Sequence, residues 1–368
     1  MTRDSKKRIA VRVWVGGGFA KVPAGGRAAG RADAEGSLRI TGFARRLKEV
    51  TMITFGPIPS RRLGRSLGIN NILPKTCTYS CIYCQVGRTN RKQTHRNAFY
   101  DPLAVFEEVA GRVRQVRSQG ESIDYLTFVP DGEPTLESRL GTQIELIQTL
   151  GPKVAVITNS SLLGRADVRR DLMKADWVSL KVDTTQIGIW CKMNRSHPGL
   201  NVRTILDGIV EFAETFKGEL VTETMLVKDV NDSEEQIGKT AEFLAHIGPT
   251  KAYLSIPTRP PAEQWVQPPR EEIMNRAYQI LSEQVDCAEY LVGYEGNEFT
   301  VTGNLEADLL STTSVHPMRT DAVEALLAKS KDDWSTIDRL VAEGDLAEVE
   351  YQGQTFLMRS LRSGAIAV

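Results

Sequence analysis

The chain has 368 residues, and its 46 lysines and arginines balance 46 aspartates and glutamates, so the formal net charge is zero. Hydrophobic residues make up 41% and charged residues 25% of the sequence, which excludes a disordered chain, a collagen-like fibre and a strongly cationic nucleic-acid protein. No apolar run reaches the ~18 residues of a membrane-spanning helix, and no signal peptide follows Met1. We therefore expect a cytoplasmic protein without a membrane partner.

The balanced net charge conceals a basic leader. Residues 1–51 hold 12 basic against 4 acidic side chains and 8 of the 30 glycines, without sustained periodicity. Such a stretch is typical of a disordered leader, and three explanations compete: a basic arm for nucleic acid, an organellar presequence, or a start codon placed too early. Met52 opens a strand-and-loop pattern at once, which favours the last explanation. We expect the folded part to begin there.

The first strand of the folded part, expected at residues 67–73, leads into a cluster of cysteines. Cys77, Cys81 and Cys84 lie within eight residues of each other. Three thiols so close together suit one metal centre and do not suit disulfides. Structural zinc needs four ligands, usually from CxxC pairs, and the sequence offers no second pair. The Cys-x3-Cys-x2-Cys spacing instead suits a [4Fe–4S] cluster with one iron left open, and a zinc knuckle or a chance cluster is the alternative.

This cysteine pattern, with the aromatic Tyr83 before the last cysteine, resembles the radical S-adenosylmethionine (radical SAM) superfamily. The flanking residues 56–64 and 84–89 resemble the branch that groups Fe–S oxidoreductases with the 4-demethylwyosine synthases of tRNA modification. The resemblance covers roughly residues 52–310. It implies a [4Fe–4S] cluster on the three cysteines and S-adenosyl-L-methionine (SAM) as the second cofactor.

Beyond the cysteine loop, short apolar strands alternate with helical patterns, as expected for βα units. Strands are predicted at residues 67–73, 123–129, 153–158, 177–182, 219–227 and 251–256. Helices are predicted at residues 103–117, 138–150, 166–174, 202–216, 233–246 and 271–285. Six such units resemble the (βα)6 partial TIM barrel of the superfamily, in which the functional loops follow the strands. The predicted fold class is α/β, with the barrel domain at residues 52–311.

A change in composition near residues 312–317 separates a small C-terminal module. Helices predicted at residues 321–329 and 334–343, followed by a hairpin of residues 346–351 and 355–359, resemble a winged helix. Residues 315–362 hold 9 acidic against 6 basic side chains, unlike most DNA-binding modules of this kind. We therefore interpret this winged-helix-like α+β module as a structural or protein-contacting appendage.

Residues at the ends of the predicted strands are candidates for binding SAM. Asp131-Gly132-Glu133-Pro134 follows the second strand, and the resemblance implies that its last three residues hold the amino group of the methionine moiety. Asp131 replaces the first glycine of the superfamily motif. The other residues expected in the cofactor site are Tyr83, Asn159, Ser179, Asp183, Glu223 and Ile256.

Several of these residues also have a purely structural interpretation. Asn159 can cap the following helix, and Asp183 can form a local ion pair with Lys181. Glu223 lies within an apolar strand, where an inward carboxylate needs a partner. Ile256 is expected to lie against adenine. No catalytic residue is predicted beyond the groups that hold the cofactors.

The resemblance implies an enzyme that cleaves SAM reductively to a 5′-deoxyadenosyl radical, which then abstracts hydrogen from an RNA base or a protein. A flavodoxin or ferredoxin is expected as the reductant. No cysteine precedes Cys77, which argues against the wyosine reaction because those synthases are expected to carry a second cluster on N-terminal cysteines. A tRNA substrate would need a basic patch, for which the candidates are Arg61, Arg62, Arg65, Arg88, Arg91 and Lys92. The competing hypothesis is a non-catalytic Fe–S or zinc-binding module.

Overall fold

The computed structural model of the protein describes residues 53–360 and two short strands of the leader. The chain divides into two compact units, Met1–Thr51 and Met52–Val368. In the first unit, β1 (Trp14–Val15) pairs antiparallel with β2 (Gly18–Phe19). Apart from these strands, the predicted disordered leader lies outside the described residues, and so do the last two residues of the predicted C-terminal module.

The second unit is built on an eight-stranded sheet. Its strands are β3 (Thr54–Ser60), β4 (Gly64–Ile69), β7 (Tyr125–Phe128), β8 (Lys153–Thr158), β9 (Trp177–Lys181), β10 (Glu219–Met225), β11 (Lys251–Ser255) and β12 (Ala288–Leu291). The short strands β5 (Thr76–Cys77) and β6 (Arg91–Lys92) pair with each other in a separate two-stranded sheet. The sheet order is β12-β11-β10-β9-β8-β7-β4-β3. All neighbours are parallel except β3, which runs antiparallel to β4. The sheet is thus an open, partial barrel whose edges are β3 and β12.

Helices connect the parallel strands. They are α1 (Pro102–Ser118), α2 (Leu140–Gln148), α3 (Ala166–Leu172), α4 (Ile187–Asn194), α5 (Val202–Thr215), α6 (Glu234–Ile247) and α7 (Glu271–Ser282). Local sequence signals fix their ends: the Asp101 carboxylate accepts from the first backbone N–H groups of α1, and Gly248 ends α6 in the left-handed conformation.

The six predicted βα units are present, and β8 has the predicted bounds. The first strand ends at Ile69, four residues before the predicted end. The elements that were not predicted include α4 and β12. α4 is only eight residues long and has no side-chain cap, so it lacks a start signal. β12 is an edge strand whose two central residues are both exposed, so it lacks the alternation typical of a half-buried strand.

Two apolar clusters position the site. The main core lies between the sheet and its helices and includes Leu67, Phe128 and Val178. A smaller cluster fills the inside of the barrel and includes Trp177 at the start of β9 and Val221 near the start of β10. Most of this second cluster lies in the first half of the strands, and the interior is open at their carboxyl ends, where chemistry is placed in βα barrels.

The C-terminal module contains the predicted helices and hairpin. Its elements are α8 (Leu305–Val315), β13 (Met318–Arg319), α9 (Thr320–Ser330), α10 (Ser335–Ala342), β14 (Leu346–Tyr351) and β15 (Gln354–Arg359), with the sheet order β13-β15-β14. The helix α8 was not predicted and runs through the expected boundary at residue 311. Its Leu305, Leu309 and Leu310 pack in the same core as α9 and α10. The domain bounds and the winged-helix resemblance stay predictions.

Candidate metal centre and cofactor cavity

A cavity of about 350 Å³ lies at the carboxyl ends of the strands, within the size range of small-molecule sites. The predicted site residues that line it are Cys77, Cys81, Tyr83, Cys84, Gly132, Asn159, Glu223 and Ile256. Of the predicted site residues, all of which the structure describes, four lie outside this lining: Glu133, Pro134, Ser179 and Asp183. Eight residues from separate loops and strands are thus brought to one cavity.

The cysteine loop is held by the end of α4 and by the loop after β11. Ser80 N donates to Asn194 O at 3.0 Å, and Ile82 N donates to Met193 O at 2.9 Å. On the other side, Glu263 N donates to Ile82 O at 3.0 Å. No sequence signal predicts α4, yet its last two residues hold one side of the cysteine loop.

The three thiols fit a cluster that supplies positive charge. Burial raises the pKa of each thiol, to about 12 for Cys81, whose pKa is raised further by Cys84. Metal-binding cysteines are thiolates, so a metal must offset this cost. Among residues 53–360, no three His, Cys, Asp or Glu side chains converge closely enough to hold a single metal ion. A cubane cluster does not require that convergence, because each thiolate binds a different iron.

Gly132 lets two loops approach each other beside the first cysteine. Its backbone forms a bridge with Thr76, which directly precedes Cys77. The φ angle of Gly132 is +153°, and a Cβ atom added there would lie 1.9 Å from Thr76 O. Only glycine fits this position, so the close approach expected from the sequence is present.

The Glu133 carboxylate holds the end of β8. It accepts from Thr135 N at 3.0 Å, Thr135 Oγ1 at 2.6 Å, Thr158 Oγ1 at 2.6 Å and Asn159 N at 2.8 Å. Burial raises the pKa of Glu133, and the hydrogen bonds from Thr135, Thr158 and Asn159 oppose this shift. The hydrogen bond from Asn159 N to Glu133 holds Asn159 at the cavity wall.

Two asparagine amides donate to the cysteine sulfurs. Asn159 Nδ2 lies 3.4 Å from Cys77 Sγ, and Asn194 Nδ2 lies 3.5 Å from Cys81 Sγ. Hydrogen bonds to sulfur tune the reduction potential of iron–sulfur clusters. Asn159 was predicted as a site residue, whereas Asn194 was missed because it belongs to α4.

Glu223 forms the centre of a buried ion-pair network. Its carboxylate accepts from Arg62 Nη1 at 2.7 Å, Lys181 Nζ at 3.0 Å and Ser255 Oγ at 2.9 Å. Burial raises the pKa of Glu223, but Lys181 and Arg62 outweigh this and hold it well below its usual value. The partner that the sequence required for an inward carboxylate is therefore a pair of cations.

Asp183 fixes Tyr83 of the cysteine motif. Its carboxylate accepts from the Tyr83 hydroxyl, from Asn194 Nδ2 at 2.9 Å and from Met225 N at 3.0 Å. Lys181 Nζ lies 3.4 Å from the same carboxylate and 5.0 Å from the centroid of the Tyr83 ring. The local ion pair with Lys181 that was weighed for Asp183 is thus present.

Asp131 places a carboxylate with unused hydrogen-bonding capacity at the cavity. Neither of its buried oxygens has a hydrogen-bond partner, and Lys75 Nζ lies 3.5 Å from Oδ1. Burial raises the pKa of Asp131 to about 6 although Lys75 opposes the shift. A buried carboxylate with open acceptor sites is suited to a cationic ligand.

Four of the six basic residues considered for a tRNA patch are paired with carboxylates. Arg62 is paired with Glu223 inside the cavity, and Arg61 also turns into it. Arg65 pairs with Glu121, and Arg88 lies 2.8 Å from Glu263 Oε1. Ser179 Oγ accepts a hydrogen bond from Arg62 Nη1 at 3.3 Å, so Ser179 belongs to the ion-pair network of Glu223.

Comparison with known proteins agrees with this site. Residues 71–244 match the family model of the radical SAM superfamily. A UPF0026 protein of Methanocaldococcus jannaschii is 45% identical over 313 residues, which cover 84% of this chain and 97% of that protein. The chain is a radical SAM enzyme of the UPF0026 family. A UPF0026 protein of Synechocystis sp. is 36% identical over 212 residues, which cover 56% of this chain and 76% of that protein.

Among solved structures, archaeal TYW1 is similar with 15% identity and a TM-score of 0.41, over 60% of this chain and 72% of that chain. Radical SAM enzymes use a [4Fe–4S] cluster and SAM, so the cofactor prediction is confirmed at the level of the family. None of the helices formed by residues 53–360 has the length and apolar character that crossing a bilayer requires.

Proposed function

We propose that this radical SAM enzyme holds its [4Fe–4S] cluster on Cys77, Cys81 and Cys84 and binds SAM in the adjoining cavity. When bound, the cluster supplies the electron that cleaves SAM to methionine and a 5′-deoxyadenosyl radical, which abstracts hydrogen from the substrate. The observation that carries this proposal is that three cysteines of one loop line a single cavity of suitable size. The apolar cluster below the cavity supports it, because a radical must be kept from water.

The chain's own residues orient SAM around that loop. Gly132 offers close backbone approach, Asn159 offers an amide, and Ile256 lies at the end of β11 where the sequence places adenine. Glu223 is committed to Arg62 and Lys181, so its role is to hold these cations at the wall and not to bind the cofactor directly.

Asp131 is better placed than Glu133 to accept from the ammonium group of SAM. The Glu133 carboxylate already accepts four hydrogen bonds and lies outside the cavity lining of the described residues, whereas both Asp131 oxygens lack a hydrogen-bond partner. The residue that departs from the superfamily motif thus takes over the acceptor role.

The partners follow from the chemistry. An external one-electron donor such as a flavodoxin or ferredoxin must reduce the cluster, because the chain carries no second redox group among its five cysteines. The substrate, an RNA base or a protein, and the cytoplasmic location stay predictions.

The test is formation of 5′-deoxyadenosine by anaerobically reconstituted protein with dithionite and SAM. We expect the wild type to form it and Cys81→Ala to form none. Cys287→Ala is the matched control, because Cys287 donates to Pro249 O at 3.0 Å outside the cavity lining of the described chain. Product from Cys81→Ala, or its absence from iron-replete wild type, would show the proposal to be wrong.

The role of Asp131 has its own test. Asp131→Asn is expected to weaken SAM binding about tenfold, measured by equilibrium dialysis, because a charge-assisted hydrogen bond contributes about 1.5–3 kcal/mol. Asp308→Asn is the matched control: Asp308 is also buried and lies 3.5 Å from a cation, Arg112, but away from the cavity. Equal SAM affinity in Asp131→Asn and wild type would refute the assignment.

A further inference from the structure

The cavity has a second polar end, built from the two edges of the open barrel. Arg61 follows β3, and Arg259 and Glu295 follow β11 and β12. Arg61 Nη2 lies 3.5 Å from Glu295 Oε1, and Arg259 Nη2 binds the other oxygen of the same carboxylate. The cysteines, Asp131 and Asn159 instead follow β4, β7 and β8.

The second end adjoins the cysteine loop. Arg259 Nη1 donates to Gln85 Oε1 at 3.0 Å, and Gln85 directly follows Cys84. Gln85 in turn donates to Val315 O at 2.9 Å, which brings in the end of α8. A group bound at Arg61 and Arg259 would therefore lie beside the cofactor in the same cavity.

Apart from the cysteines, the charged side chains that line the cavity are paired one to one everywhere except at this end. Five cations and three carboxylates line it: Arg61, Arg62, Lys75, Lys181, Arg259, Asp131, Glu223 and Glu295. Lys75 is matched by Asp131, and Arg62 with Lys181 is matched by Glu223 with Asp183.

Arg61 and Arg259 share the single carboxylate of Glu295. Within residues 53–360, no second carboxylate lies within 4 Å of either guanidinium. His316 Nε2 is 3.2 Å from Arg259 Nη2 and stays neutral, because burial and then Arg259 lower its pKa to about 3. Burial lowers the pKa of Arg61, and Arg259 and Arg62 lower it further. One positive charge is therefore left over, shared by side chains that are 24% exposed at Arg61 and 12% exposed at Arg259.

An uncompensated buried charge is costly, and a ligand that neutralises it is bound for that reason. We propose that the substrate of this enzyme carries an oxyanion, a carboxylate or a phosphate, which Arg61 and Arg259 bind at the edge of the open barrel. The inference rests on the proposed function for the role of the bound molecule, while the anion site itself is independent of SAM cleavage.

The experiment titrates the reconstituted holoenzyme with inorganic phosphate and, separately, with acetate, using calorimetry. We expect one anion to bind with a stoichiometry of one, and the preferred anion distinguishes a phosphate from a carboxylate group. Arg61→Gln should weaken this binding about tenfold, the loss of one hydrogen-bonded charge. Arg112→Gln is the matched control, because Arg112 is buried and 3.5 Å from Asp308 but does not line the cavity among the described residues.

A second variant makes the sign of the effect decisive. Glu295→Gln removes the shared carboxylate, so phosphate or acetate should bind more tightly than to the wild type. If the change only disrupted the fold, binding would weaken instead. Circular dichroism establishes that the variant is folded.

Three results of the anion titration would overturn the proposal: no anion bound by the wild type, equal binding by Arg61→Gln, or weaker binding by folded Glu295→Gln. SAM affinity measured in the same variants shows whether the anion bound at Arg61 and Arg259 belongs to the substrate or is the carboxylate of SAM. A loss of SAM binding in Arg61→Gln would assign the site to the carboxylate of SAM and would also contradict the proposal. Failure to form 5′-deoxyadenosine would refute SAM cleavage and leave the anion measurement standing.

Discussion

Replacing Gly132 by alanine tests how the DGEP turn supports the cysteine loop. The new Cβ would lie 1.9 Å from Thr76 O and 2.7 Å from Ile72 Cδ1. The Thr76 carbonyl would have to recede by about 1.5 Å to reach ordinary contact. It would then lose the hydrogen bond that it accepts from Glu133 N at 3.2 Å.

We expect the free energy of unfolding to fall by about 3–5 kcal/mol, from overpacking of about 1–3 kcal/mol, about 1 kcal/mol for the hydrogen bond and about 1 kcal/mol of backbone strain. Iron content should fall as well, because Thr76 directly precedes Cys77. The assay is anaerobic urea unfolding of reconstituted protein with iron and sulfide analysis.

Gly293→Ala is the control for Gly132→Ala. Gly293 also has a positive φ, +93°, but no atom lies within 4 Å of an added Cβ. Its substitution carries the cost of backbone strain without a clash. If the two variants were equally stable and bound equal amounts of iron, the close approach would not be what holds the cysteine loop.

Three further predictions concern the ion pairs and the C-terminal module. Glu223→Gln should destabilise the fold by about 3–5 kcal/mol in urea unfolding, because Lys181 and Arg62 stay buried without their partner, whereas the exposed Glu235→Gln should cost under about 0.5 kcal/mol. Because folding lowers the pKa of Glu223, its carboxylate contributes fully to the free energy of unfolding above the ordinary pKa of about 4.3, and this contribution is lost as the pH falls through the lowered pKa. The difference in free energy of unfolding between the wild type and Glu223→Gln should therefore be constant from neutral pH to about 5 and become smaller below it. Tyr351→Phe should cost about 1–2 kcal/mol, because the buried Tyr351 hydroxyl donates to a carbonyl of the loop after β11 at 3.2 Å; unchanged stability would mean that this contact does not hold the hairpin to the barrel.

The barrel was predictable because each βα unit carries a local signal. Asp101-Pro102 marks the start of α1, and the apolar run of β8 is complete in the sequence. The cysteine spacing predicts a metal centre for the same reason, since its three proposed ligands are neighbours in the chain.

The rest of the site depends on contacts between distant residues. Asn194 lies 113 residues from Cys81, and Arg62 lies 161 residues from Glu223. Nothing in the sequence near either residue indicates its partner, because side chains meet there only after the strands are ordered. The role of α8 was missed for a related reason: its apolar residues contact α9 and α10, while the change in composition near residues 312–317 falls at its end and not at its start.

Cys77, Cys81 and Cys84 would hold a [4Fe–4S] cluster, and SAM would bind to it in the cavity that these cysteines line. Electron paramagnetic resonance of the dithionite-reduced, reconstituted protein, recorded with and without SAM, tests it most directly. We expect the wild type to show the signal of a reduced [4Fe–4S] cluster, and we expect that signal to change when SAM is added. The signal should be missing from Cys81→Ala. A signal that SAM leaves unchanged, or one that survives in Cys81→Ala, would contradict it.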